Sequence, residues 1–363
     1  MTDAGSRARE FAGKLERLRS VMRAQGVAGA AFRSRRNFAW LTAGGHNHVA
    51  EASDEGVATI LVTDAGAVVL TAVNEAPRIR DEEVQDLPIE VVGLPWECPE
   101  ALGEAIRARV DGPVVDDAAL EPELWPLRAT LCAEERARFA LLGAKTARAM
   151  TATLATARCG ELETQVGARL ALALAADGIS GPVILVASDE RILNYRHPIP
   201  KPKPVDTSLM LIVGAEMGGL IVAMTRFAWV RGRPNTETER RFDAVNRVHR
   251  AFFAATRAGR TLGEVLADGV AEYAAAGFPD EWLLHHQGGP IGYQGREAVA
   301  TPTGSAVIAP DMAFAWNPSI TGTKAEDTFV LRPDGSRDIV TRDPYWPARP
   351  DGEPGIWIAS EWA

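Results

Sequence analysis

Apolar residues recur at three- and four-residue steps between residues 7 and 25, where Phe11, Leu15, Leu18, Val21 and Met22 share one face of a predicted amphipathic helix that stops at Gly26. Short β-like runs follow at Ala28–Phe32, Phe38–Thr42, Val57–Val62 and Ala67–Ala72, the last two joined by the hairpin signal Asp64-Ala65-Gly66. Ile89–Val92 and Val114–Val115 read as further strands, with a helix near 100–110 between them. Strand and helix therefore alternate as in a small α/β domain. The stretch 116–131 reads as a loop and is the expected domain boundary.

Beyond it the pattern changes to long helices paired with hairpins. Helices are expected at Glu134–Arg158 and Leu162–Ala176, followed by apolar strands at Val183–Ala187, Leu209–Val213 and Leu220–Trp229. The order then recurs: helices at Thr236–Ala258 and Leu262–Ala276, a Gly-rich loop at 288–295, and strands at Ala313–Asn317 and Thr328–Leu331. Two helices and a hairpin, twice over, predict an architectural duplication without a residue-level repeat. The expected class is α+β: an α/β domain at 1–130, a duplicated domain at 131–345, and a Pro- and Trp-rich irregular tail at 346–363.

Composition narrows the possibilities. The 363 residues, 46% hydrophobic and 24% charged, suit a folded two-domain protein. A net charge of −9 with no Lys/Arg run argues against a nucleic-acid partner. No apolar run reaches the length of a membrane span, and the N-terminal residues lack the apolar segment of a secretion signal. Cys98, Cys132 and Cys159 are sparse and follow no metal-binding spacing, which suits small buried residues in a reducing cytoplasm.

Four segments carry candidate chemistry, in this order: Asn194-Tyr195-Arg196-His197; the hairpin Ile212-Val213-Gly214-Ala215 to Ala223-Met224-Thr225-Arg226; His286-Gln287-Gly288-Gly289-Pro290-Ile291-Gly292; and Phe314-Ala315-Trp316-Asn317-Pro318-Ser319 followed by Gly322-Thr323-Lys324-Ala325-Glu326-Asp327. Together they resemble the motifs of the creatinase / aminopeptidase P family, whose fold is a pseudo-twofold "pita bread" behind a small α/β domain. Gly214, Ala215, Thr225 and Arg226 match the central hairpin, which in the family's peptidases reads approximately D-x-G-A … D-x-T-R.

The resemblance implies two divalent ions held by two Asp, one His and two Glu. Carried over position by position, these ligands fall on Ile212, Ala223, Pro290, Asn317 and Glu326. Four of the five positions have lost the family's residue. Aliphatic and proline side chains donate no electron pair, and an amide with one carboxylate does not hold a bridged pair of hard ions. No metal and no other cofactor is therefore expected.

The same resemblance places His197 and His286 where the family keeps imidazoles around its substrate, and Glu297 where it has a third. His197, His286 and Glu326 are the expected catalytic residues. Asn317, Lys324, Glu297, Arg296, Arg226 and Asp327 are the expected substrate contacts. His285 and His286, read as strand neighbours, would face opposite sides, with His286 toward the pocket. His46 and His48 are expected at the surface, and His249 is expected to be structural.

Creatinase cleaves a C–N bond without metal, using a histidine as proton shuttle. The matching expectation is a metal-independent hydrolase or lyase acting on a C–N or amide bond of a small molecule or short peptide, as a homodimer. The alternatives are a non-catalytic pita-bread binding protein and a Xaa-Pro peptidase-like enzyme with one relocated ion on Glu326, Asp327, Glu297 and His286.

Overall fold

A computed structural model describes residues 4–361. The chain divides into two compact units, one formed by residues up to Glu135 together with Gly218–Leu220, the other by Arg136–Met217 and the residues from Ile221 onward.

The first unit is built on a five-stranded mixed sheet of β1 (Gly29–Ser34), β2 (Glu55–Thr63), β3 (Ala67–Ala72), β4 (Glu90–Leu94) and β5 (Val114–Asp116), in the order β4-β3-β2-β1-β5. The Ala4–Gln25 helix buries Phe11, Leu15, Leu18 and Met22, as its periodicity requires. Lys14 shares that buried face. Its Nζ lies 2.6 Å from both Glu10 and Glu135, which compensate the ammonium.

Two expectations fail here. The expected strand Phe38–Thr42 does not form; Phe38–Leu41 belongs to a helix, Arg35–Leu41, capped by Thr42. The Ser34 hydroxyl accepts from Asn37 N and starts it, and an apolar run this short does not distinguish the two states. The loop expected at 116–131 is largely the helix Asp117–Ala129, capped by the Asp116 side chain on Ala119 N. Pro122 and Pro126 suggested a break, but Leu120, Leu124 and Arg128 form a buried four-residue stripe that packing rewards.

The second unit repeats one plan. The helices Ala133–Ala155 and Glu163–Ala175 precede β6 (Ser180–Ser188), β7 (Ser208–Met217) and β8 (Leu220–Trp229). The helices Thr236–Ala255 and Leu262–Ala275 precede β9 (Gly288–Ile291), β10 (Ala313–Trp316), the small pair β11 (Ser319–Ile320) and β12 (Thr323–Lys324), then β13 (Asp327–Leu331) and β14 (Arg337–Ile339). The C-terminal segment adds β15 (Trp357–Ile358), parallel to β8, so the tail expected to be irregular contributes a strand. The sheets run β15-β8-β7-β6 and β14-β13-β10-β9, and a bridge from Thr225 to Glu326, with Thr328 bonding Ala223, connects them.

The expected Gly-rich loop begins as strand β9. Gly288 (φ +96°) and Gly289 (φ +153°) pair with Trp316 and Ala315, and a Cβ on either would collide with a backbone carbonyl, of Ala315 or of Ala298. Behind β10, Trp316 stacks on Phe252 at 4.8 Å and donates its indole N–H to Thr256 at 2.9 Å.

Candidate functional site

His197 sits in the loop after the short helix Glu190–Asn194. Asp189, at φ +54°, ties that loop down by accepting from the backbone N–H groups of Asp206, Thr207 and Ser208. Burial raises the Asp189 carboxyl, but those donors outweigh it and hold the group ionised well below the usual range. Arg196 pins the loop from the other side, donating to Glu281 at 2.7 Å and to the Thr321 hydroxyl at 3.0 Å.

His285 and His286 follow the 3-10 turn Glu281–Leu284. The buried Gln287 braces them. Its amide donates to the carbonyls of Trp282 and His285, and its oxygen accepts from the buried Tyr273 hydroxyl at 2.8 Å.

The three imidazoles meet. His197 Nε2 and His285 Nε2 are 3.0 Å apart, so one donates to the other. The rings of His285 and His286 stack at 4.4 Å, and those of His197 and His286 lie 6.1 Å apart. The expectation that only one of the adjacent histidines faces the pocket is overturned. Residues 285–287 precede β9 and are not a strand, so side-chain alternation does not apply. Sequence reasoning missed His285 for this reason, and it missed Tyr273 and Gln287 because nothing in their spacing marks a brace.

Beside the imidazoles lies a buried ion cluster. Glu326 Oε1 accepts from Arg296 at 2.8 Å. Glu326 Oε2 accepts from the Thr225 hydroxyl at 2.7 Å and lies 3.5 Å from Lys324 Nζ. Burial alone would raise the Glu326 carboxyl, but Lys324 and Arg296 bring it down to about 2. Burial likewise pushes Lys324 down, opposed by Glu326.

The histidines feel both burial and the two cations. His285 falls to about 3, through burial first and then Lys324 and its neighbouring histidines. His286 falls to about 4, through burial, Arg296 and Lys324. His197 is lowered by the same causes, with Glu326 opposing. Burial and the two basic side chains thus disfavour protonation of all three imidazoles, while Glu326 is held ionised between Lys324 and Arg296.

The remaining candidates separate into two groups. Asn317 is buried one hydrogen bond from Gln287, its N–H donating to that residue's carbonyl, and its Oδ1 has no partner among the described residues. Arg226 and Asp327 pair with each other at 2.7 Å, and both bond to Thr341, so their charges are already compensated. Glu297 accepts from Tyr293 N at 2.9 Å and clasps its own turn. His46 and His48 are half-buried, edge to face at 5.3 Å. His249 is buried against Glu353 at 3.2 Å.

The residues that the resemblance assigns to two metal ions do not fit them. Ile212, Ala223 and Pro290 are buried and apolar at the relevant atoms, and Asn317 is neutral. Glu326 already spends both oxygens on a guanidinium, a hydroxyl and an ammonium.

The helix pairs, hairpins and pseudo-twofold sheets define an α+β protein of the pita-bread type. The chain belongs to metallopeptidase family M24, whose model matches residues 139–333. A dipeptidase from Pyrococcus horikoshii OT3 superposes with a TM-score of 0.76 at 20% identity, over 95% of this chain and 99% of that one. A Xaa-Pro dipeptidase from Bacillus anthracis superposes with a TM-score of 0.74 at 18% identity, over 96% and 99%. The N-terminal domain of FACT complex subunit SPT16 from Cicer arietinum superposes with a TM-score of 0.71 at 14% identity, over 92% and 96%. A search of curated protein sequences finds no match. No described helix is long and apolar enough to cross a membrane.

Proposed function

We propose that this chain is a hydrolase or lyase that cleaves a C–N or amide bond without a metal pair, with His197 as general acid and base, and that its substrate is a small molecule or short peptide carrying a carboxylate. The observation that carries this reading is the charge count around Glu326. One carboxylate faces two basic side chains, Arg296 and Lys324, so basic groups outnumber acidic ones in this cluster. A cationic ligand is disfavoured on that ground, and an anionic group is favoured.

Burial and the neighbouring Lys324 push His197 toward its neutral form, and its ring is in contact with a second imidazole. In this reading it accepts a proton from the attacking water and returns it to the departing nitrogen, while His285 fixes its ring. The positive charge of Lys324 and Arg296 holds the substrate carboxylate and favours negative charge developing nearby. Glu326, with both oxygens engaged, positions those two cations. The orphaned Asn317 Oδ1 offers an acceptor to a substrate N–H.

The test is turnover of a panel of N-acyl amino acids and dipeptides with free carboxylates, after exhaustive chelation. Activity is expected to survive chelation and to fall about 100-fold or more in His197→Ala. Activity that appears only with added Mn²⁺ overturns the reading.

A second reading is a binding protein without turnover. It is favoured by the shared fold of a FACT complex subunit domain. It expects saturable binding of the same panel with no product.

A further inference from the structure

We propose that His197, His285 and His286 form a mononuclear site for a borderline-soft transition ion such as Zn²⁺, Co²⁺ or Cu²⁺, separate from the positions that the family's resemblance assigns to metal. One ligand nitrogen from each of the three residues lies within 4.8 Å of the other two. Tetrahedral coordination with bonds of about 2.0–2.1 Å places ligand nitrogens roughly 3.3–3.4 Å apart. His197 and His285 already meet at 3.0 Å, and small ring rotations bring His286 into range.

The rings are free to make that adjustment. His197 and His286 are exposed on loop segments, whereas the backbone beneath them is held by Arg196–Glu281 and by Gln287. His285 Nδ1 is buried with no partner among the described residues, so one ring edge has no competing bond.

The chemistry of the donors selects the ion. An all-imidazole set suits zinc, copper, cobalt and nickel, and gives little to Mg²⁺, Ca²⁺ or Mn²⁺, which prefer carboxylate and water oxygens. Three protein ligands leave a fourth position open. Lys324 and Arg296 outnumber Glu326 beside the site, so an anion in that position, such as chloride or a substrate carboxylate, is favoured over neutral water.

The ion takes the lone pair that His197 needs to accept a proton. On the reading of His197 as proton carrier, the bound ion is therefore an inhibitor, not a cofactor. That consequence rests on the proposed function, but the binding itself does not.

The experiment uses the untagged full chain, stripped with a chelator and titrated with Co²⁺ in the absence of any substrate. One equivalent per chain with the visible absorption of four-coordinate cobalt is expected, displaced by Zn²⁺ and absent with Mn²⁺. His285→Ala and His286→Ala should each abolish the absorption, with circular dichroism confirming that both variants fold. No stoichiometric cobalt binding, or binding retained in either folded variant, overturns the site. Inhibition by Zn²⁺ is then read separately in the chelated, active enzyme. A protein that binds cobalt but has no activity refutes the functional reading and leaves the site standing.

Discussion

His197 Nε2 lies 3.0 Å from His285 Nε2, a contact between residues 88 positions apart, where burial, and after it Lys324, disfavours protonation of both rings. Two imidazolium rings would repel at this distance, so the contact depends on pH.

Acid should therefore weaken the fold earlier than carboxylate titration alone would. Free imidazole titrates near ~6.5, whereas His285 and His286 are held to about 3 and about 4. Between these values the unfolded chain binds protons that the folded chain does not. The contribution is complete above ~6.5 and is lost progressively as pH falls toward the folded values. The urea midpoint of the chelated protein should drop between pH 7.5 and pH 5, and His285→Asn with His286→Asn should flatten that slope. An unchanged midpoint over this range would show that the rings protonate freely in the fold.

Glu326 should be a structural anchor before it is anything else. Glu326→Gln leaves the buried Lys324 and the half-buried Arg296 uncompensated and should cost about 3 kcal/mol in urea denaturation. Adding Lys324→Met should recover part of that loss. A single variant as stable as the parent would mean that solvent already screens the cluster.

Asn317 should trade stability against binding. Its buried oxygen lacks a partner, so Asn317→Leu removes an unsatisfied acceptor and should leave the protein as stable or up to about 1 kcal/mol more so. Affinity for a carboxylate substrate or competitive inhibitor should fall. A destabilised variant with unchanged affinity would assign Asn317 to packing alone.

A cavity of about 20 Å³ lies among Asn246, His249 and Asp327. Its size admits one water, and Asn246 Nδ2 and His249 Nε2 are buried beside it without partners among the described residues. A crystal structure should show an ordered water bonded to both. An empty cavity in well-ordered density would contradict this.

Long elements were legible because the helices bury one face and the strand Leu220–Trp229 is a continuous apolar run buried on both faces. The helices at 133–155, 163–175, 236–255 and 262–275 and the strand Leu220–Trp229 all carry the pattern that packing demands. The helix Asp117–Ala129 was hidden because it carries two interior prolines, Pro122 and Pro126, and its stripe of Leu120, Leu124 and Arg128 is buried only by tertiary packing. At the site, motif order located His197, His286, Glu326, Lys324 and Arg296. Pairwise geometry was out of reach: no local pattern reveals that Arg226 and Asp327 cancel each other, or that His285 and His286 stack where a strand would have parted them. The first of these depends on a contact spanning 101 residues, and the second on a local backbone that leaves the strand conformation, neither of which the linear sequence displays.

The most direct measurement is anomalous diffraction at the manganese edge from crystals soaked in Mn²⁺. With Ile212, Ala223, Pro290 and Asn317 beside an already engaged Glu326, no ordered manganese is expected among these residues. Two strong peaks a few ångströms apart beside Glu326 would show that the family's ion pair still assembles, and would contradict a metal-free reaction in this chain.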